Sequence, residues 1–174
     1  MLFSKLLPTE YYESAYVIDY EQMYAAGYRG LIYDIDNTLV PHGAPADERA
    51  LALMERLKTI GFEITFLSNN KEPRVLLFNE KIQAHYICKA GKPGRANYIK
   101  ATEMMKCTTD NTLFVGDQLF TDIWGANKAQ IRSALVKPID KSTDEIQIVL
   151  KRVLEKPFLW SYLKTNSILT GKAD

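Results

Sequence analysis

The stretch Gly30-Leu-Ile-Tyr-Asp-Ile-Asp-Asn-Thr-Leu-Val40 passes from a short apolar run into two carboxylates spaced two residues apart. Positions 30–33 read as a strand. If that strand continues, Asp34 and Asp36 point the same way from its end. Outward from this stretch the pattern repeats. Positions 46–60 carry helical spacing (Leu51, Met54, Leu57) and stop at Gly61, a C′ residue. Positions 62–67 are β-branched and aromatic and read as a second strand. A helix over 73–81 and a short strand over 84–88 follow. Pro93 suits position N1 of a helix running to about Met105. Then come a strand over 111–115, a helix over 118–129 and a strand over 131–136. Ser142 and Glu145 form a capping-box pattern for a last helix, expected to end before Pro157.

Strands alternating with helices imply βαβ units, so the expected fold is α/β: a doubly wound, Rossmann-like, mainly parallel sheet with right-handed crossovers. Such sheets bind ligands outside the carboxyl ends of their strands. The chain of 174 residues suits one domain. It divides into a lead segment (1–29), a core (30–136) and a C-terminal helical extension (137–174). In the lead segment Tyr12, Tyr16, Tyr20, Tyr24 and Tyr28 recur every fourth residue. Packing against the sheet is the first reading of them, and ligand stacking the lesser. Asp19 and Gln22 suit a helix cap there.

Composition excludes several classes. Apolar residues make up 47% and charged ones 25%, with a formal net charge of +1. No strong field selects nucleic acid. Cys88 and Cys107 form no CxxC pair, so reduced thiols and a cytoplasmic location are expected. No apolar run is long enough to span a bilayer. The first eight residues lack a signal-peptide pattern.

Four polar clusters each follow a proposed strand. The first holds Asp34 and Asp36. Carboxylates this close repel unless a cation lies between them, and Mg²⁺ suits one or two carboxylates bridged to a substrate phosphate. One can attack phosphorus, and the other can protonate the leaving oxygen and later activate water. Ser68-Asn69-Asn70 can donate to phosphoryl oxygens. Lys92, before Pro93, is a mobile positive charge at an expected helix start. Asp117, in Gly116-Asp-Gln, can complete a metal site, and Asp122 can bind metal-held water or anchor Lys92. Each cluster alone is an ordinary loop or cap. Their succession behind four strands points to catalysis.

These residues resemble the haloacid dehalogenase (HAD) superfamily of phosphohydrolases. Asp34-Ile-Asp-Asn-Thr-Leu-Val40 looks like its first motif, Ser68 its second, Lys92 its third, and Gly116-Asp117 with Asp122 its fourth. The finer pattern is similar to the IIIA-type YqeG family, whose eukaryotic relatives include phosphatidylglycerophosphate phosphatases. The resemblance implies Asp34 as nucleophile, Asp36 as general acid/base, and Ser68 as phosphoryl ligand with Asn69 nearby. It implies Lys92 as the charge that steadies the phosphorylated aspartate. Mg²⁺ falls to the Asp34 carboxylate, the Asp36 carbonyl and Asp117, with Asp122 supporting the metal or Lys92. Lys89 competes with Lys92, and the Lys-Pro pattern favours Lys92.

The spacing between motifs leaves no room for a cap domain, so the cleft is expected to be open and the phosphorylated substrate large or lipid-linked. The apolar ends, residues 1–7 and 158–163, pack on the domain or on another subunit, with peripheral membrane contact as the lesser alternative. His42, Arg74 and Arg95 are minor candidates for substrate contact. His85 and Cys88 read as structural. Two further functions stay open: a receiver-like module that accepts phosphate without turnover, and a binding protein with a vestigial site.

Overall fold

Alternation along the central strands sets the layers. Leu31 and Tyr33 pack in one buried cluster and Ile32 in another; Leu113 and Val115 divide from Phe114 in the same way. A strand with both faces buried needs helices on both sides. The computed structural model, which describes residues 3–171, has that arrangement. Among the described residues six strands form one parallel sheet: β1 (Glu10–Tyr12), β2 (Gly30–Tyr33), β3 (Glu63–Leu67), β4 (His85–Ile87), β5 (Thr112–Gly116) and β6 (Arg132–Val136). Their order is β1-β6-β5-β2-β3-β4. The chain reverses direction of winding beside β2, which makes the carboxyl ends of β2 and β5 the crevice of the sheet.

Helices α1 (Tyr20–Ala25), α2 (Glu48–Ile60) and α3 (Glu72–Asn79) supply the first cluster, with Met54, Leu57 and Phe78 at its centre. Helices α4 (Ala96–Met104) and α5 (Trp124–Lys128) supply the second, around Tyr98 and Phe114. Helix α6 (Ile146–Leu163) covers the β1–β6 end of the sheet through Tyr162, Phe158 and Leu159, against Tyr11, Leu119 and Leu135. Asp47 caps α2 through the Ala50 N–H, and Gly61 ends it at φ 113°. Asp19 caps α1 through the Gln22 N–H at 2.9 Å. Tyr20 is fully buried, and Tyr12, Tyr16, Tyr24 and Tyr28 pack against the same cluster.

Four expectations need correction. The lead segment also supplies β1, a three-residue edge strand too short to show a period. Pro93 does not open α4. The Lys92–Pro93 peptide is cis, Gly91 sits at φ 62°, and the Gly94 N–H closes a turn on the Gly91 carbonyl, so the helix starts at Ala96. No helix N-terminus therefore adds its charge at Lys92. Ser142 caps nothing in α6: its N–H and hydroxyl go to Asp140, and Glu145 precedes the helix without a side-chain cap bond. Nor does α6 stop before Pro157. The proline lies inside it, between inward residues Glu155 and Tyr162 that hold both halves on the domain. Of the apolar N-terminal stretch, Met1 and Leu2 lie outside the described residues. Leu6 and Leu7 pack on the domain.

Candidate active site

Asp34 leaves the carboxyl end of β2, and its N–H donates to the Val115 carbonyl of β5 at 3.0 Å. Asp117 leaves β5 next door. Asp34, Asp117 and Asp122 are all buried, each with a carboxylate oxygen within 4.8 Å of the others. The Lys92 ammonium, almost wholly enclosed, donates to Asp34 Oδ1 at 2.6 Å and Asp122 Oδ1 at 2.7 Å. Thr38 Oγ1 lies 3.4 Å from Asp34 Oδ2 and 3.3 Å from Asp117 Oδ1. Arg152, reaching in from α6, donates to Asp117 Oδ2 at 2.6 Å and to Asp144 Oδ2 at 2.5 Å.

Asp122 is held in place by the backbone. Its Oδ2 accepts the N–H groups of Asp117 and Gln118 at 3.2 and 3.1 Å. The chain turns there as a π-helical segment, Leu119–Ile123, where the sequence suggested an unbroken helix. The Ile123 N–H reaches back five residues to the Gln118 carbonyl. Such turns recur at functional sites.

Asp36 lines the same cleft as Asp34, Ser68, Asn69 and Lys92. Its carboxylate, however, is taken up outside the acidic cluster. Arg74 donates to Oδ1 through Nε (3.1 Å) and Nη2 (2.7 Å), Asn70 Nδ2 donates to Oδ2 at 2.5 Å, and the Gly43 N–H adds a bond of 2.8 Å. His42 Nδ1 stands 3.9 Å away. Asn69 closes a reciprocal pair with the Lys92 backbone at 2.8 and 3.3 Å, which fixes the turn that carries the lysine. Lys89 is exposed and tied by its N–H to the Asn70 carbonyl, so Lys92 is the lysine that reaches the carboxylates. Arg95 and His85 are exposed, and Cys88 packs against the core.

Burial pushes Asp34 well above the usual carboxylate range, and Asp122 and Asp117 add repulsion that Lys92 only partly offsets. Burial also pushes Asp117 up to about 7, with Asp122 adding to it and Arg152 opposing. Lys92 is raised too. Burial alone lowers it, but Asp122 and Asp34 more than reverse that, so it stays charged. Four carboxylates (34, 117, 122 and 144) face two cations (Lys92 and Arg152), leaving a formal charge of −2. An all-oxygen donor set in which carboxylates outnumber cations four to two fits a hard divalent cation.

Asp34, Asp117, Asp122 and Lys92 thus meet in one place, and Ser68, Asn69 and Asp36 border it. The cleft measures about 130 Å³. Its remaining wall includes Glu145, Ile148 and Lys151 of the α6 region, which sequence reasoning assigned to no site. Arg152, Asp144 and Thr38 were missed as well. Thr38 had a signal in its i+4 spacing from Asp34. Arg152 had none, because nothing in its spacing ties it to residue 117.

A family model described as HAD-hydrolase-like matches residues 89–149. The probable phosphatase YqeG of Bacillus subtilis (strain 168) is 35% identical over 143 residues, covering 82% of this chain and 83% of that protein. Phosphatidylglycerophosphate phosphatase 1 of Arabidopsis thaliana, chloroplastic/mitochondrial, is 24% identical over 84% of this chain. The chain spans 45% of that relative's length. A hydrolase from Streptococcus pneumoniae TIGR4 shares the fold, with a TM-score of 0.51 at 14% identity, over 74% of this chain and 98% of that one.

Proposed function

The chain belongs to the HAD superfamily and is a phosphatase, a phosphoric monoester hydrolase, and from that premise we propose that it works through a phosphoryl group carried on Asp34 with Mg²⁺ as cofactor. A carboxylate oxygen of Asp34 attacks phosphorus in line as the bond to the leaving oxygen breaks. Asp36 gives that oxygen a proton. It then takes one from the water that opens the acyl phosphate, releasing phosphate and restoring Asp34. The Ser68 hydroxyl and Asn69 amide donate to the phosphoryl oxygens. Lys92 offsets charge on Asp34 and on the transferring group. The carboxylates of Asp34, Asp117 and Asp122 and the Asp36 carbonyl are the groups that would hold Mg²⁺. Bound there, the ion supplies positive charge that lets an anionic phosphoryl group approach an acidic cluster.

The observation that carries this reading is the buried Lys92 ammonium shared between Asp34, at the carboxyl end of β2, and Asp122, in the π-helical segment that follows β5. The test is Asp34→Asn with a soluble aryl phosphate in Mg²⁺. Phosphate release is expected to fall to background; undiminished release would discard the mechanism. The substrate class we favour is a lipid-borne phosphate monoester such as phosphatidylglycerophosphate, on the strength of the plant relative and of a chain without a cap insertion. We further read the chain as one catalytic domain whose two free thiols suit the cytoplasm.

A further inference from the structure

Helix α6 turns one face inward and leaves the other to solvent. Glu155 and Tyr162 are buried, and Ile148 and Lys151 border the cleft. On the opposite face Ile146 (77% exposed), Leu150 (62%), Leu154 (63%) and Trp160 (66%) form one apolar stripe, widened by Val149 and Val153. Ile146, Leu150 and Leu154 recur every fourth residue, and Val149, Val153 and Trp160, four and seven residues apart, run beside them on the same face. A contiguous exposed band of this kind marks an interaction surface. We propose that this face of α6 docks the enzyme on an anionic lipid bilayer. The proposal deepens the reading above, and its choice of lipid rests on it.

Charge separates a lipid from other occupants. Glu155 is the one carboxylate within α6, and it is buried, accepting the Phe120 N–H at 3.0 Å. Glu145 flanks the N-terminal end of the stripe, but along its C-terminal half the neighbouring charges are cationic: Lys156 is exposed, and Lys164 stands 3.5 Å over the Trp160 ring. Apolar residues with Trp and flanking lysines suit the boundary between acyl chains and anionic headgroups. A second copy of the chain fits poorly. A two-fold contact brings the same cationic patch to both sides of the seam and offers these lysines no exposed carboxylate from within α6. Shape points the same way. Val149 and Val153 also wall a cavity of about 310 Å³ that reaches Asp117 and Arg152 and is lined by Tyr11, Leu135 and Leu159. The stripe therefore runs into an apolar space leading toward the acidic cluster. A lipid tail or glycerol can fill that space, whereas a helix lying on the stripe leaves it empty.

The experiment is vesicle co-sedimentation of the full chain, with sedimentation velocity and aryl-phosphate hydrolysis alongside. Wild type is expected to bind phosphatidylglycerol-containing vesicles at least tenfold better than pure phosphatidylcholine ones. Lys156→Ala is expected to weaken binding roughly fivefold. The triple variant Leu150→Ser, Leu154→Ser, Trp160→Ser is expected to lose binding while hydrolysing the soluble ester at the wild-type rate. Asp34→Asn is expected to bind as wild type does. A wild-type chain that ignores the anionic vesicles, or a triple variant that still binds them, overturns the proposal. So does a wild-type dimer that the triple variant breaks while vesicles have no effect, which assigns the stripe to a second copy. A chain that binds vesicles and hydrolyses no phosphate ester leaves the docking standing and removes the catalytic reading. One that hydrolyses the soluble ester and ignores vesicles does the reverse.

Discussion

Arg74 grips Asp36 with two guanidinium bonds, and Asn70 and the Gly43 N–H hold the rest of the carboxylate. A proton carrier must sit where the leaving oxygen passes, and small misplacements cost rate steeply. Arg74→Ala is therefore expected to lower kcat roughly tenfold with KM little changed, because Arg74 positions Asp36 and does not face the phosphoryl group. Steady-state kinetics on an aryl phosphate check this; a KM effect with intact kcat would instead make Arg74 a substrate ligand. At this scale much of the site was legible. Asp34, Ser68 and Asp117 each stand just beyond a strand, where a polar residue has one place to point, and Lys92 follows β4 on a short turn. What the sequence hid is which way Asp36 turns, since that depends on Arg74, a residue on α3 whose ordinary assignment is a solvated surface. Arg152 was hidden for a plainer reason. It meets Asp117 only because α6 folds back across the sheet edge.

Among the elements, the π-helical segment is held from both sides. Tyr98 Oη donates to the carbonyls of Thr121 and Asp122 at 2.8 and 3.2 Å, and Gly125 makes room for that ring. A methyl group at Gly125 would stand 2.4 Å from Tyr98 Cζ. Gly125→Ala is expected to cost about 1–3 kcal/mol by overpacking and to lower activity as well, because the displaced ring loosens the segment that aims Asp122. Chemical denaturation beside a rate assay measures both, and a stability loss with full activity would separate the ring from the site. The α6 contact predicts a pH effect. Burial pushes Glu155 up to about 7, above its ordinary 4.5, so the folded chain holds that proton more tightly than the unfolded one. The resulting stability is complete below about 4.5 and is lost as pH rises through 7. Glu155→Gln keeps the acceptor for Phe120 and removes the titration. Relative to wild type it is expected to gain roughly 2–3 kcal/mol between pH 4.5 and 8, seen in denaturation midpoints. Parallel curves would mean that Glu155 titrates normally. Element boundaries were legible where propensity and caps agree, as at Asp47 and Gly61. They failed at β1, which depends on distant partners, β6 on one side and Leu169 on the other, and at Pro157, where packing on both sides outweighs the helix break.

For the molecule as a whole, the excess of buried carboxylates over cations in the cluster is a standing cost that a bound cation relieves. Mg²⁺ at roughly a hundredfold excess over its Kd is expected to stabilise the fold by about 2.7 kcal/mol, or about 5–10 °C in Tm for a chain of this size. Asp117→Asn should erase most of that shift in a melting experiment, and an unchanged response would move the cation elsewhere. The order of the strands carries one more consequence. Asp34 and Asp117 are neighbours only because β2 and β5 pair, yet between those strands the chain makes α2, β3, α3, β4 and α4. No local fragment contains a working centre. Turnover is therefore a reporter of long-range assembly: during refolding it should return only when the central ladder has zipped, well after helices α2 and α4 have regained their circular dichroism.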